Sequence, residues 1–169
     1  MSPLNSWLHV SIKKQQLCLL KAQKIQHQWA ISTALNGTGC AKDSGKTPLG
    51  THQIKIKIGQ NCPINSVFIG RRTTGEIYTN QLAQKYPQRD WILSRILWLT
   101  GCQTSFNRGQ SVDSLARYIY IHGTPDSEPM GIAKSHGCIR MKNKDIIQLF
   151  DLVKNKTKIL IEHDVCPHF

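Results

Sequence analysis

The 169-residue chain lacks several features that would place it in a specialised class of protein. No stretch approaches the run of about 18 apolar residues that a membrane-spanning helix requires, so we expect no membrane partner. There is no internal repeat and no linker-like segment. Hydrophobic residues make up 40% of the chain and charged residues 19%, which excludes a disordered protein. We therefore predict a single domain over residues 1–169, long enough to bury a core without disulfides.

The N-terminal segment MSPLNSWLHVSIKKQQLCLLKAQ also lacks the pattern of a secretory leader. It has no charged start followed by a continuous apolar stretch, and no cleavage site of small residues. We expect a cytoplasmic protein, or a periplasmic one if a leader was removed.

No Cys-x-x-Cys pair occurs, and the six cysteines follow no repeated spacing. Reduced thiols are therefore expected in a cytoplasmic domain of this size. The C-terminal tail offers possible metal ligands at His163, Cys166 and His168. A segment of this kind is more often an ordinary polar chain end than a metal site. We expect neither a metal nor a cofactor.

Acidic residues are scarce, 10 against 22 Lys and Arg, which gives a net charge of +12. Such an excess suits nucleic acid, an anionic surface or a small substrate rich in carboxylates. The basic residues are scattered, and only Arg71 and Arg72 are adjacent arginines. Nucleic-acid-binding domains usually show basic runs interleaved with aromatics. A basic solvated surface is therefore favoured over a nucleic-acid site.

Short apolar or alternating segments separated by polar turns predict a mainly β protein. The predicted strands are 8–12, 17–22, 27–33, 52–59, 66–70, 91–101 and 158–163. In 52–59 the isoleucines at 54, 56 and 58 alternate with lysines, which predicts one buried and one exposed face. The segment 91–101 also fits a helix of the same length.

Two helices complete this prediction. One is short, over 80–86, and the other spans 143–153 with Asn143 as its N-cap. The apolar stripe of the second helix faces the core and consists of Ile146, Ile147, Leu149, Phe150 and Val153. The resulting fold class is a β-sandwich or partly closed barrel of short strands with one or two short helices.

The segment IHGTPDSEPMGIAKSHGCIRMKNKD, residues 121–145, is the strongest candidate for chemistry. The preceding alternation predicts that Tyr118, Tyr120 and His122 share one face of a strand, while Ile119 and Ile121 face the core. Downstream, Cys138 lies between Gly137 and Ile139. A nearby cation such as Arg140 predicts a thiol pKa below the usual value of about 8.5. Backbone N–H groups in a glycine turn can also hold an oxyanion.

These parts fit covalent acyl transfer by a cysteine. Three other readings stay open on the residues alone. Cys138 could be a buried structural thiol, a redox cysteine, or a zinc ligand with His122 and His136, although a fourth ligand and the usual spacing are missing.

The segment resembles the signature of the YkuD-type L,D-transpeptidase catalytic domain. The matching residues are His122-Gly123-Thr124, Gly131, Ser135-His136-Gly137-Cys138-Ile139-Arg140-Met141, Asn143 and Asp145. Upstream, KTPLG at 46–50 is similar to the Thr-Pro-x-Gly turn of that family. The resemblance covers residues 8–162, which we take as the domain core.

The resemblance implies a role for each matched residue. Cys138 would be the nucleophile and His122 the general base, oriented by the backbone carbonyl of Gly123. Substrate contacts would come from Tyr120, Ser135, His136, Gly137 and Arg140. Backbone N–H groups near Cys138 would hold the oxyanion, and Arg140 would contact a substrate carboxylate.

The resemblance also implies a substrate class, peptidoglycan stem peptides or muropeptides, cleaved between diaminopimelate and D-Ala. With a cytoplasmic location we expect an L,D-carboxypeptidase of peptidoglycan recycling. The alternative is an L,D-transpeptidase that forms cross-links or exchanges D-amino acids, and a basic nucleic-acid-binding module is a remote third reading. Carbapenem-type β-lactams are the expected covalent inhibitors.

Overall fold

The computed structural model describes residues 6–164, and these contain ten strands and two α-helices. The strands are β1 (Trp7–Ser11), β2 (Gln16–Lys21), β3 (Lys24–Ala30), β4 (Gly50–Ile58), β5 (Ser66–Ile69), β6 (Arg72–Ile77), β7 (Ile92–Gly101), β8 (Tyr120–Gly123), β9 (Ile139–Met141) and β10 (Lys158–Glu162). The helices are α1 (Asn80–Lys85) and α2 (Asn143–Leu152). The prediction of a mainly β fold with short helices is confirmed.

All ten strands belong to one mixed sheet that does not close. Its main path runs β3-β2-β1-β10-β4-β7-β5-β6, and β8 branches from β7 and carries β9. Most neighbours are antiparallel, but β1 with β10 and β8 with β9 are parallel. The β8–β9 pair places the two halves of the 121–145 segment side by side.

The main core lies where α2 packs against β7 and β8. Ile146, Leu149 and Phe150 of α2 are fully buried, as are Leu97 and Ile121 of the strands beneath. A fully buried aliphatic or aromatic side chain contributes about 1.5–3 kcal/mol to folding. This packing fixes β8 and therefore the position of His122. Ile147, which was expected in the same stripe, is only partly buried.

The expected alternation in 52–59 is wrong beyond Ile54. A β-bulge interrupts the pairing of β4 with β7 between Ile54 and Ile56. A bulge adds a residue to one strand and shifts the following side chains to the other face. Ile54 is consequently buried and Ile56 is 39% exposed. Lys57 turns inward and donates to the carbonyls of Phe150 and Val153.

The expected N-cap of the second helix is also wrong. Lys142 occupies the cap position and makes no side-chain cap, while Asn143 is the first helical residue. The Asn143 amide donates instead to the Thr124 carbonyl at 2.8 Å, and its oxygen accepts from Ser94. Asn143 thus ties the helix to the loop after β8 and to β7.

Candidate active site

The parallel pairing of β8 with β9 assembles the candidate site. In this register His122 pairs with Arg140 and Ile121 with Ile139. Cys138 immediately precedes β9 and therefore lies beside Tyr120, where the Tyr120 N–H donates to Sγ at 3.4 Å. The thiol is also 3.4 Å from the Tyr118 carbonyl, to which it donates. A cysteine and a histidine that are 16 positions apart in sequence thus share one corner of the sheet.

The predicted lowering of the Cys138 pKa is wrong. Burial raises the pKa of this thiol to about 12, and this effect outweighs the opposing influences of the Tyr120 N–H, Arg140 and Arg117. An ionised sulfur loses more by leaving water than these groups restore. The thiol is therefore protonated at neutral pH, and a base would have to remove its proton for the sulfur to act as a nucleophile.

His122 lines the same cavity as Cys138 and is the candidate base. Its side chain is almost fully buried, and burial lowers the pKa of its imidazole. The ring is neutral at neutral pH as a result. Nδ1 lies 2.7 Å from the Gly123 carbonyl, so Nδ1 carries the hydrogen and Nε2 is left with the free electron pair. The contact to Gly123 that the resemblance implied is present.

The turn before β9 is held by buried hydroxyl groups. Ser135 is buried, and its hydroxyl donates to the Cys138 carbonyl at 2.5 Å. Thr47 donates to the Gly137 carbonyl at 3.0 Å and accepts from the Ala34 N–H at 3.0 Å. Gly137 itself has φ +136°, a conformation that side chains disfavour. Ser135 therefore supports the turn from inside the protein.

A cavity of about 310 Å³ opens over the thiol. It is lined by Gly70, Arg71, Asp90, Ile92, Tyr118, Tyr120, His122, His136, Cys138 and Arg140. The predicted site residues His122, Cys138, His136, Arg140 and Tyr120 are thus brought together, whereas Ser135, Gly137 and Gly123 lie outside this lining. Tyr118 is 52% exposed, so the cavity is open to solvent.

Arg140 is already paired within the protein. Its guanidinium lies 3.1 Å from Asp90 Oδ1 and is 10% exposed. His136 Nδ1 approaches the other oxygen of Asp90 at 3.9 Å, and the His136 side chain is 79% exposed. These three residues also line a second cavity of about 300 Å³ next to the first. The predicted contact between Arg140 and a substrate carboxylate stays a prediction.

The family model of the L,D-transpeptidase catalytic domain (YkuD) matches residues 5–161. The chain belongs to this family. The match covers both halves of the site, from His122 to Arg140, as well as the strands that support them.

Individual relatives agree with this assignment over shorter or more distant matches. The Bacillus subtilis protein YkuD is 49% identical over 49 residues, which cover 28% of this chain and 30% of that protein. An L,D-transpeptidase of Mycobacterium smegmatis has the same fold, with a TM-score of 0.59 at 17% identity, over 94% of this chain and 58% of that structure. An L,D-transpeptidase solved in complex with imipenem has a TM-score of 0.55 at 16% identity, over 93% of this chain and 58% of that structure. The chain thus spans less than two thirds of the relatives that it matches.

Three residues of this candidate site were not predicted from the sequence. Arg71 comes from the β5–β6 turn, Asp90 precedes β7, and Thr47, in the loop before β4, supports the turn at Gly137 that leads to Cys138. The sequence signals were an Arg after a Gly between two strands and a Thr in the Thr-Pro-x-Gly turn. Neither signal shows which residue the side chain contacts, because each contact joins segments that are far apart in the chain.

The interpretation of Cys138 as a zinc ligand finds no support in residues 6–164. In that range no group of three or more His, Cys, Asp or Glu side chains could hold a metal ion. Cys40, Cys62, Cys102 and Cys138 are free thiols. Cys166 and His168 of the tail lie outside the described residues.

Across residues 6–164, neither helix has the length and apolar character needed to cross a bilayer.

Proposed function

We propose that this chain catalyses acyl transfer on peptidoglycan stem peptides, with Cys138 as nucleophile and His122 as general base. The observation that carries the proposal is the shared cavity, in which a neutral, carbonyl-oriented imidazole on β8 and a thiol just before the parallel strand β9 lie in one lining. Membership of the L,D-transpeptidase catalytic domain family supports the substrate class. The bond that we propose is cleaved joins the L-centre of diaminopimelate to D-Ala.

The first half of the reaction forms a thioester. His122 Nε2 takes the proton from Cys138 Sγ while the sulfur attacks the scissile carbonyl carbon. The carbonyl oxygen gains the negative charge, which backbone N–H groups near Cys138 would stabilise. The C–N bond then breaks, and His122 gives its proton to the departing amine of D-Ala.

The second half returns the enzyme to its starting state. His122 removes a proton from the acceptor, the acceptor attacks the thioester carbon, and the sulfur leaves and regains a proton. Water as acceptor gives a tripeptide, and an amine gives a cross-link or an exchanged D-amino acid. We propose hydrolysis, hence an L,D-carboxypeptidase in peptidoglycan recycling; the exposure of Tyr118 at the rim of the cavity supports access of water to the thioester.

The decisive experiment measures D-Ala release from a purified disaccharide tetrapeptide by mass spectrometry, with and without an added D-amino acid. We expect the tripeptide as the main product of the wild-type protein. Cys138→Ala should release no D-Ala, and Cys138→Ser should be nearly inactive because a hydroxyl is a much weaker nucleophile. Cys102→Ala is the matched control, since its thiol lies outside the cavity, and it should act as the wild type does.

Three results would decide against all or part of this proposal. Turnover by Cys138→Ala would remove the thiol from the mechanism. Exchange of D-Ala for the added D-amino acid as the main product would replace the carboxypeptidase by the transpeptidase. Inactivity of the wild type together with tight, salt-sensitive binding of nucleic acid would favour a binding module.

Carbapenems should acylate the same sulfur. The solved L,D-transpeptidase in complex with imipenem supports this extension to the present chain. Attack of Sγ on the lactam carbonyl would open the ring and form a thioester. Because no group leaves, the intact mass of the protein should rise by the mass of one imipenem molecule. Cys138→Ala should gain no mass under the same conditions. An active wild-type enzyme that forms no adduct would mean that its acyl pocket rejects the drug.

A further inference from the structure

Arg71 lies at the tip of the β5–β6 hairpin and lines the cavity above Cys138. Gly70 and Arg71 are the two residues of this turn, with φ of 55° and 66°. Positive φ at both central positions is the geometry of a tight type I′ turn, which favours Gly and Asn. An arginine is less favourable than glycine or asparagine in this conformation.

Three aromatic side chains fix the direction of Arg71. Its guanidinium lies over the rings of Trp98 and Tyr118, 4.7 Å from the centre of each. Nη1 donates to the Tyr120 hydroxyl at 3.2 Å. Stacking on aromatic faces leaves the edges of the planar guanidinium free to donate hydrogen bonds. The same two tyrosines contact Cys138 through their backbones, and Arg71 and Cys138 line the same cavity.

The charges of the two arginines in the cavity differ in their surroundings. Arg140 is neutralised by Asp90, and Asp90 also faces His136. Arg71 forms no ion pair with any residue in 6–164, and its hydrogen bond goes to a neutral hydroxyl. A planar cation with free N–H donors is well matched to a carboxylate. Of the two arginines in this cavity, Arg71 is therefore the one that is available to bind an anion.

We propose that Arg71 binds a carboxylate of the acyl donor and thereby sets the specificity of the site for anionic stem peptides. This inference rests on the proposed function, since it concerns the substrate of the same cysteine. A tetrapeptide has two carboxylates close to the scissile bond, the terminal one of D-Ala and the distal one of diaminopimelate. Either would present the same chemistry to the guanidinium.

The test measures kcat and KM for D-Ala or D-alaninamide release from three substrates. These are the free tetrapeptide, its D-alaninamide form, and a form amidated at the distal carboxylate of diaminopimelate. The proteins are wild type, Arg71→Met, Arg71→Lys, Arg140→Met and the matched control Arg72→Met, whose exposed side chain lies outside the cavity. Thermal unfolding of each variant reports whether the fold is retained.

With the free tetrapeptide, Arg71→Met should lower kcat/KM by roughly ten- to a hundredfold, mainly through KM. Arg71→Lys should restore part of the loss, because an ammonium keeps the charge without the paired geometry. Arg72→Met should match the wild type. For the amidated substrate that lacks the bound carboxylate, the ratio of kcat/KM between wild type and Arg71→Met should fall to about one. This non-additivity of the two changes identifies which carboxylate Arg71 binds.

Other outcomes overturn the assignment. An Arg71→Met enzyme with wild-type kinetics, beside a defective Arg140→Met enzyme, would place the carboxylate at Arg140. An equal loss on all three substrates would show that Arg71 binds neither of these two carboxylates. A wild type that releases nothing from any of the three would instead refute the proposed function.

Discussion

Gly123 at the end of β8 carries the carbonyl that orients His122. A Cβ at this position would lie 2.5 Å from the Leu93 carbonyl oxygen and 2.7 Å from Asn143 Oδ1. Both atoms are fixed, one by β7 and one by the hydrogen bonds of the buried Asn143. Glycine is therefore required by close backbone approach rather than by a special φ.

Gly123→Ala should destabilise the protein and slow catalysis. The backbone must shift to relieve the contact, which we expect to cost about 1–3 kcal/mol. The carbonyl moves with it, so the imidazole loses its fixed tautomer and kcat should fall more than KM rises. Urea unfolding and D-Ala release measure the two effects. Gly39→Ala is the control, since its Cβ would meet only the flexible side chain of Lys46. Wild-type stability and turnover in Gly123→Ala would contradict this account.

At this scale the sequence predicted the residues that lie within one segment and not those joined across the fold. Cys138 and His122 were identified because glycines and a spaced signature surround them. Arg71 reaches Tyr120 over 49 positions, and Asp90 reaches Arg140 over 50. The direction of the Cys138 pKa was also missed, because the burial of a thiol depends on the whole cavity.

At the scale of elements, the loop before β4 supports the turn that carries Cys138, the proposed nucleophile. Arg117 donates to the carbonyls of Gly39, Cys40 and Lys46 and so fixes this loop. Thr47, at the end of the loop, then holds the Gly137 carbonyl. In a planar trans peptide the carbonyl and the next N–H point in opposite directions. Thr47 therefore also sets the direction of the Cys138 N–H, a candidate oxyanion donor.

Thr47→Val should lower kcat and destabilise the fold. Valine has nearly the same shape but leaves the Gly137 carbonyl and the Ala34 N–H buried without their partner, at about 1–3 kcal/mol for each group. Thr47→Ser keeps the hydroxyl and should restore most of kcat, while losing some stability with the methyl group. Chemical unfolding and steady-state kinetics distinguish the two. If Thr47→Ser and Thr47→Val lose kcat equally, the hydroxyl does not position the turn.

The elements themselves were predicted unevenly from the sequence. The apolar run of β7 was predicted as a strand, and its central place in the sheet explains why it is buried on both faces. The strand β6, with the sequence RTTGEI, was missed because five of its six residues are exposed and lack an apolar face. The bulge in β4 has no sequence signal of its own.

At the scale of the whole molecule, the fold class was predicted, but the order of the strands was not. The two parallel pairs join β1 to β10 and β8 to β9, and both need crossovers that no local pattern specifies. Residues at opposite ends of the chain therefore meet in the sheet. One consequence is that burial, and the pKa values that depend on it, are properties of the whole fold.

His52 shows this dependence in a form that can be measured. It is fully buried between β10 and β7, where Nδ1 contacts the Gly50 carbonyl at 3.0 Å and Nε2 the Ser114 hydroxyl at 2.9 Å. Burial lowers its pKa to about 4, and Arg117 acts in the same direction. The unfolded chain, with a His pKa of about 6.5, therefore binds a proton that the folded protein does not take up until about pH 4.

The free energy of unfolding should accordingly be highest above pH 6.5 and should fall as the pH drops from 6.5 towards 4. His52 accounts for about 3 kcal/mol of this loss, since each pKa unit corresponds to about 1.4 kcal/mol. His122, whose pKa is also lowered by burial, adds a loss of the same sign. Urea unfolding across this pH range at constant ionic strength measures the slope. His52→Gln replaces the imidazole by a group that does not titrate, so its slope should be shallower than that of the wild type. Parallel slopes for the two proteins would mean that His52 is protonated as readily in the folded state as in the unfolded chain.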